Sequence, residues 1–495
     1  MSKITIDISK GWMPDLLPED VLGAGGLVRA INVLPISSNY VPILDKAVYN
    51  STAVTGTPLQ GIYVQDTAGD YYNFLGTSTK LYRFTKSAMT DVSKSGVTYA
   101  GAFWNYALYG NWLIATDYEY VPQVLKEIGS ATNFVDLGGS PPKAKYCCLC
   151  MGHLVLGYTY SGSTSFPKRI QWSARENPEL WTTSLATGAD TQDLPEMMGV
   201  MTGLANIGDG FGVFSEDSIT TCQYIGGTYT FNIRRNLIKG IGCFYPGSLI
   251  SIGDVVFFWS KNTAYQFDGA SYPQEIGYTL RNTVFNDVNT SYSDRIAVCH
   301  DRLNGIILWA YPSQASTGTP DKIVCYNYIE KKWTSLNIVC NTLFAGATGG
   351  FPIDDSTLTN VTIESLASMN IDSAYWLGKT IQPLAVDTNL KVSTFSGSPL
   401  QAELETGEIS QQDIMLSVQK AYLPIDGLVG AGVVVVKHRY SNKDSVVYDA
   451  AQTIRTDGDV DLRTTDRRIS LNIKATNFTR IGKVITAEGV ESGRR

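Results

Sequence analysis

The sequence predicts an all-β protein, from its aromatic and glycine content and from short strand patterns that recur along the chain. Of its 495 residues, 28 are Tyr and 46 are Gly, whereas only 17% are charged. Aromatic side chains suit the half-buried surface of a sheet, and glycine suits the turns between strands. A chain of this length is expected to form two or three domains.

A strand-turn unit recurs between residues 56 and 340 and predicts a β-propeller. In each unit an apolar inner strand leads to a closing pair: an alternating strand, a short polar turn and an aromatic or apolar return. The six closing pairs begin at Lys80, Pro122, Arg169, Thr221, Ala264 and Val324. The last three have predicted hairpin turns at Gly226–Gly227, Asp268–Gly269 and 330–332. Units of about 40 to 60 residues with four strands each are typical of propeller blades, because a ring of sheets buries faces that one sheet leaves exposed. We therefore expect about six irregular blades; the alternative is a sandwich of unrelated hairpins.

The flanking segments have different patterns. Residues 1–55 contain Pro35 and Pro42, which disfavour a helix, and predict an extended N-terminal strap. Residues 341–398 are rich in Gly, Ser and Thr, with one helix-compatible run from Thr362, and predict a connector or insertion. Residues 399–495 alternate polar and apolar side chains between turns and predict a C-terminal β-sandwich.

The histidines and cysteines do not form a recognisable chemical site. His153, His300 and His438 lie far apart in strand-like surroundings, so we interpret each as a structural histidine. Cys147 and Cys150 form a CxxC within a strand-like run, and no second pair lies near. We therefore expect buried, reduced cysteines instead of a metal or redox centre.

Other motifs are also weak. The segment 457–461 resembles the start of a calcium loop, but Leu462 stands where the loop needs Gly and Arg468 where it needs Glu, which predicts a solvated turn. A GxSxG elbow, a P-loop and a GxGxxG opening a helix are all missing. A pair of carboxylates for glycosidic cleavage is an alternative that the sequence leaves open, although no particular pair is indicated. The sequence thus predicts no catalytic, cofactor-binding or metal-ligating residue, and a protein that is not an enzyme.

The charge distribution argues against tight binding of nucleic acid. The net charge is −7 and the pI is about 5.2, and the basic residues are scattered apart from the pairs at 234–235, 467–468 and 494–495. Proteins that grip phosphates normally carry a clustered basic footprint. The first 20 residues lack a secretory signal, and no apolar run approaches the ~18 residues of a membrane span, so we expect folding in a reducing cytosol and no membrane span.

Four segments together resemble one protein family. They are the strap NVLP…NYVPI, the unit RIQWSARENPELW (169–181), the phrase WSKNTAYQFDG from Trp259 and the ending RRISLNI…GRR. In combination they resemble the tail nozzle proteins of short-tailed, podovirus-type bacteriophages, also called tail hub or packaged-DNA stabilisation proteins. The unit 169–181 is the most specific of the four.

The resemblance implies a structural virion protein that forms a homohexameric ring below the portal and its adaptor, the head-to-tail connector. In that family the propeller forms the tube wall and the β-sandwich is a platform to which the terminal segments contribute. The nozzle retains DNA and then conducts it non-specifically during ejection; tail fibres or spikes, and a plug or needle, are further partners. The expected location is the virion tail, assembled in the host bacterial cytoplasm.

Three further expectations follow from this interpretation. Part of the negative charge is expected to face the DNA channel, because a basic lining would hold phosphates. Deletion of residues 1–45 is expected to leave a soluble propeller that no longer docks to the adaptor. The alternative functions are a propeller-type host-surface protein that binds or cleaves glycan, and a bacterial propeller scaffold for protein partners.

Overall fold

The computed structural model describes residues 2–227, 229–349, 380–410 and 415–491, which consist mainly of strands. The N-terminal segment contains one α-helix, α1 (Pro18–Ala24), which begins with a proline and ends at Gly25 with φ 75°. Both residues are favourable at those ends of a helix. The strands of this segment are β1 (Ser2–Asp7), β2 (Leu27–Ile31), β3 (Val33–Ile36), β4 (Asn39–Pro42) and β5 (Ala47–Val48).

The first four blades are four-stranded antiparallel sheets that follow one another along the chain. Blade 1 contains β6 (Pro58–Gln65), β7 (Tyr71–Thr77), β8 (Leu81–Phe84) and β9 (Met89–Asp91). Blade 2 contains β10 (Asn105–Tyr109), β11 (Trp112–Thr116), β12 (Gln123–Leu125) and β13 (Val135–Asp136). Blade 3 contains β14 (Lys143–Cys150), β15 (His153–Ser161), β16 (Thr164–Trp172) and β17 (Asp190–Asp193). Blade 4 contains β18 (Met201–Ile207), β19 (Gly210–Ser215), β20 (Ser218–Tyr224) and β21 (Phe231–Lys239).

Blades 5 and 6 continue the same order and are joined by short helical turns. Blade 5 contains β22 (Ile250–Ile252), β23 (Val255–Trp259), β24 (Ala264–Phe267) and β25 (Gln274–Glu275). Blade 6 contains β26 (Ala297–Asp301), β27 (Ile306–Tyr311), β28 (Lys322–Asn327) and β29 (Lys332–Leu336). The turns between them are 3-10 helices at Tyr278–Leu280 and Thr290–Arg295 and a π-helical turn at Arg281–Phe285, and a further 3-10 helix at Pro246–Ser248 precedes blade 5. All six residues of β27 are buried, as expected of a strand covered on both faces by neighbouring blades.

A seventh blade closes the ring with a strand from the other end of the chain. It contains β30 (Thr342–Thr348), β31 (Thr380–Val386) and β32 (Val392–Thr394), and its outermost strand is β5. Ser393 and Thr394 of β32 pair antiparallel with Val48 and Ala47. Blade 7 therefore joins residues that the sequence analysis divided between the strap and the connector.

Apolar clusters lie between every pair of successive blades, including blades 7 and 1, so the ring is closed. At the closing junction the Asn73 side chain of blade 1 donates to Ala347 O (2.6 Å) and accepts from Ala347 N (2.8 Å) of blade 7. The Thr342 hydroxyl donates to Leu59 O at 2.7 Å. Gly61 also permits close packing, since a Cβ there would lie 2.5 Å from the Phe344 ring.

The platform is the β-sandwich built from both ends of the chain. Its C-terminal strands are β33 (Ala402–Thr406), β34 (Ile409–Ser410), β35 (Leu416–Tyr422), β36 (Ile425–Asp426), β37 (Gly432–Arg439), β38 (Val447–Tyr448), β39 (Gln452–Thr453), β40 (Asp459–Asp466), β41 (Arg468–Ala475), β42 (Arg480–Ile481) and β43 (Val484–Glu491). One sheet has the order β1-β43-β35-β40, and a smaller one has the order β3-β4-β42-β36. The other main sheet continues from blade 6: β29 pairs with β2, followed by β33, β41, β37 and β38.

A shared core makes the propeller and the platform continuous. One apolar cluster contains Trp259 of blade 5, Trp309 of blade 6, and Leu404, Val436 and Ile485 of the platform. The backbone N–H of Trp12 donates to Trp333 O at 2.9 Å, which ties the N-terminal segment to blade 6. The platform is thus attached to the outer edge of blade 6 through both hydrogen bonds and buried apolar area.

The structure confirms the predicted all-β class, with a β-propeller and a β-sandwich. The six closing pairs supply the third and fourth strands of blades 1–6, except that the fourth strand of blade 3 lies at Asp190–Asp193, beyond the predicted return near Trp181. The ring has seven blades where the repeats indicated about six. Three strands of the added blade lie within 341–398, where β30 and β31 are far apart in sequence, and the fourth is β5, which has only two residues. The helix-compatible run from Thr362 and the pair 494–495 lie outside the described residues.

The N-terminal segment is more deeply integrated than a docking strap would be. Ile6, Ile8, Leu27 and Val33 are fully buried in the core shared with the platform. The Tyr40 hydroxyl, also buried, donates to Ile8 O at 2.5 Å. Deletion of residues 1–45, which we expect to leave a soluble propeller that no longer docks, would therefore also open the platform core to water.

Candidate contact surfaces

The three histidines are separate and have structural partners. His153 is buried between blades 3 and 4, where its Nδ1 lies 2.8 Å from Ser173 O, and burial lowers its pKa. The His300 Nε2 lies 3.2 Å from the Tyr328 hydroxyl, and burial again lowers the pKa of the imidazole. His438 in β37 lies between Asp466 (Nδ1 to Oδ2, 2.8 Å) and Asp449 (Nε2 to Oδ1, 3.4 Å). These contacts fix side chains inside the fold.

The two cysteines of the CxxC face different cores. Cys147 belongs to the apolar cluster between blades 2 and 3, and Cys150 to the cluster between blades 3 and 4. Burial raises the pKa of each thiol to about 12. All eight cysteines are free thiols and buried, so they serve as small apolar side chains.

The candidate calcium loop is a hairpin turn, as predicted. The backbone N–H of Gly458, with φ 89°, donates to Arg455 O at 2.9 Å, and β40 begins at Asp459. Within the described residues, no group of three or more His, Cys, Asp or Glu side chains could hold a metal ion. The same part of the chain has no helix long and apolar enough to cross a membrane.

One face of the propeller carries a series of exposed apolar side chains. In an antiparallel meander, the turns between strands one and two and between strands three and four all lie at the same end of the ring; we call this end the tip face. Seven large apolar residues on the tip face of blades 3–6 are 42–77% exposed. They are Met151, Leu185, Ile225, Tyr229, Tyr272, Leu303 and Ile329. Clustered exposure of this kind marks contact surfaces in soluble proteins.

The tip face is acidic between blades 4 and 5. A groove of about 330 Å³ there is lined by Asp209, Asp254 and Asp268 together with Arg234. The Asp268 carboxylate accepts hydrogen bonds from the backbone N–H groups of Ser271 (2.7 Å) and Ala270 (3.0 Å), which lower its pKa and keep it charged. A partner that approaches this groove meets negative charge beside apolar tips.

The platform has a second exposed apolar surface, which we call the platform edge. It is the interrupted edge strand formed by β38 and β39, which both pair with β37. Val447 and Tyr448 of β38 are 49% and 62% exposed, and the Lys437 ammonium lies 5.3 Å from the centre of the Tyr448 ring. A short edge strand with exposed apolar side chains can pair with another chain.

A charge network connects α1 to the C-terminal strands near this edge. Arg468 of β41 contacts Glu19 of α1 at 2.9 Å and Glu408 at 3.3 Å. Arg439 of β37 contacts Glu408 at 2.8 Å. The hydrogen bond from Arg468 lowers the pKa of the Glu19 carboxyl. The network fixes the N-terminal helix against the sheet that ends at the platform edge.

None of these surfaces is predicted by the sequence. Gly226–Gly227 and Asp268–Gly269 are predicted turns, but a turn does not show whether its apolar neighbours are buried or exposed. The alternation in β37 predicted a strand and could not show that the strand lies near a sheet edge. The apolar residues that lie within predicted turns are the sequence feature from which the tip face could have been predicted.

Comparisons with known proteins leave the family open. No family model and no curated protein matches the chain. Among solved structures, a likeness is found to one described as "YCF48 bound to D1 peptide", at 12% sequence identity and a TM-score of 0.35. The match covers 60% of this chain and 86% of the other. A structural similarity at this TM-score does not indicate a function.

Proposed function

We propose that the chain is a structural, non-enzymatic subunit of a short-tailed phage tail. Six copies would form a nozzle tube below the portal and adaptor that retains DNA and conducts it during ejection. The proposal places the protein in the virion tail after assembly in the host bacterial cytoplasm. It rests on the resemblance of four sequence segments and on the architecture of the subunit.

The observation that carries the proposal is the fusion of propeller and platform into one body. The sheet of blade 6 continues into the platform through β29 and β2, and both chain ends contribute strands to the platform. A subunit in a tube wall must transmit force without hinging between its parts. A continuous sheet and a shared apolar core meet that requirement.

The platform edge supports ring assembly. A closed ring needs a head-to-tail interface in which two different patches of each subunit meet. The exposed Val447 and Tyr448 provide an apolar patch on one side of the platform, on a strand short enough to accept a neighbour. We expect this edge strand to be buried against the next copy in the hexamer.

The tip face suits the remaining partners of a tail. Its seven exposed apolar side chains lie in the turns at one end of blades 3–6, whereas the platform is joined through the β29 strand of blade 6. We assign it to contacts with a fibre or spike, or with a plug or needle, and the platform to the adaptor. The net charge of −7 fits a channel that lets DNA pass without binding it.

Electron microscopy of the purified protein and of virions tests the proposal. Six-fold rings support it, and Val447→Asp with Tyr448→Ser should abolish them because both substitutions make the apolar edge polar. Val429→Ser is the matched control, since Val429 is 81% exposed in the platform but outside the edge strand formed by β38 and β39. A monomer that binds or degrades polysaccharide would contradict the nozzle and favour the glycan alternative.

A further inference from the structure

A cavity of about 330 Å³, the seam cavity, lies between the N-terminal segment and blade 6. Its walls are mainly apolar: Trp12, Pro14, Val28 and Ile31 come from the N-terminal side, and Ile323 and Val324 from β28. Polar side chains converge on the remaining wall: Arg29, Thr283, Asp287, Tyr311, Lys322, Ser335 and Asn337. Apolar walls with a few convergent polar groups at a junction between two parts of a chain are typical of ligand sites.

Asp287 is the acidic side chain that lines the seam cavity. Its half-buried carboxylate accepts hydrogen bonds from the Tyr311 hydroxyl (3.5 Å) and from the backbone N–H of Gln314, and it makes no ion pair within 4 Å in the described ranges. Burial raises the pKa of this carboxyl, and the neighbouring Asp321 raises it further, although the Gln314 N–H and the Lys322 ammonium act in the opposite direction. A half-buried carboxylate in apolar surroundings is stabilised by an added cation.

The other charges at the seam cavity already have partners. Arg29 pairs with Glu403 (3.5 Å) and Glu405 (3.4 Å). The Lys322 ammonium donates to Asn337 Oδ1 at 2.9 Å. Asp321 accepts hydrogen bonds from Ser313 N and Oγ, each at 2.7 Å.

We propose that the seam cavity binds an organic cation, with its apolar body against Trp12 and Val28 and its ammonium or guanidinium group paired with Asp287. The cation has two possible sources, a free amine or the Lys or Arg side chain of a protein. The inference goes beyond the nozzle proposal and does not depend on ring assembly.

Calorimetric titration of the full chain near neutral pH tests the site with three matched probes. Phenethylammonium should bind, whereas 2-phenylethanol and phenylacetate, which share its ring, should bind at least about tenfold more weakly. Preferential binding of phenylacetate would overturn the proposal, because it would show that Lys322 governs the site. Equal binding of all three probes would also overturn it.

Two variants and a control locate the binding. Asp287→Asn should weaken phenethylammonium binding about tenfold, and Val28→Phe should weaken it similarly by filling the cavity. Asp254→Asn makes the same chemical change on an exposed turn of blade 5 and should leave the affinity unchanged. Unchanged affinity in folded Asp287→Asn would contradict the proposal.

A second titration distinguishes the two sources. Nα-acetyl-argininamide reproduces an arginine side chain within a protein. Tighter binding of this probe than of phenethylammonium identifies the natural occupant as a protein side chain, and the reverse order identifies it as a free amine. Failure of both cations to bind would overturn the site itself.

Discussion

The inner side of β1 should be essential to the platform, whereas the outer side of the same strand should not. Ile6 is fully buried and lies opposite Ile485 of β43 in the register of the sheet. Thr5, the preceding residue, is exposed and lies opposite Thr486. Alanine substitutions at these two adjacent residues therefore distinguish the contribution of core packing from that of strand pairing.

We expect Ile6→Ala to destabilise the platform by about 3 kcal/mol, because the substitution removes buried methyl groups and leaves a cavity. Thr5→Ala should cost about 0.5 kcal/mol, as is usual for exposed positions. Hydrogen exchange of the β43 amides measures the difference directly. Exchange in Ile6→Ala should be about 100-fold faster than in the wild type if the platform opens as a unit.

Equal exchange in the two variants would refute the reasoning, since it would show that β1 lies on the platform without supporting its core. The same measurement bears on the deletion of residues 1–45. That deletion removes Ile6, Ile8, Leu27 and Val33 together, at about 1.5 to 3 kcal/mol each. Because the total approaches the stability of a whole domain, we expect the platform to unfold.

Three further predictions concern the propeller: a buried carboxyl group, the buried thiols and two turn glycines. Burial raises the pKa of Asp117 to about 6, so the stability associated with its protonated form is fully present below the unfolded pKa and is lost as pH rises through about 6. The free energy of unfolding of Asp117→Asn should therefore exceed that of the wild type by about 2 to 3 kcal/mol at pH 8 but not at pH 4. A pH-independent difference in urea unfolding would contradict this. All eight thiols are buried, so none should react with a disulfide reagent until the protein unfolds; rapid labelling of Cys147 or Cys150 would disprove their assignment to apolar cores. Gly139→Ala should prevent folding of the blade 2–3 junction, because its Cβ would lie 1.6 Å from Glu179 O. Gly110 also has a positive φ but has open space around it, so Gly110→Ala should lower the stability measured by thermal unfolding by only about 1 to 2 kcal/mol.

Local turn chemistry made most of the propeller predictable. The hairpins at Gly226–Gly227, Asp268–Gly269 and 330–332 were read from short polar turns between apolar strands, and each joins the third and fourth strands of a blade. The register within such a hairpin follows from the turn itself. The strands of blades 1–6 could therefore be predicted from the sequence.

Long-range pairing was not predictable. Blade 7 depends on the pairing of β32 with β5, two strands more than 300 residues apart and only three and two residues long. The platform likewise depends on the pairing of β1 with β43 and of β2 with β33. No local periodicity specifies these partners, because they are selected by the closure of the ring and by burial in the shared core.

The contact surfaces and the seam cavity could not be predicted from the sequence for a related reason. Tyr229 and Ile329 have the same apolar character as residues buried between blades, and only the position of each turn makes them exposed. Asp287 is one of 46 acidic residues in the sequence. Its significance comes from the apolar side chains that two distant segments place beside it.

The most direct test of the nozzle proposal is the symmetry of the particles that the full chain forms. Class averages of the purified protein and of virion tails should show rings of six subunits, with seven-bladed propellers in the tube wall and platforms joined at their edges. Isolated single propellers in both samples, with no ring at any protein concentration and no density for the chain in the tail, would contradict the proposal.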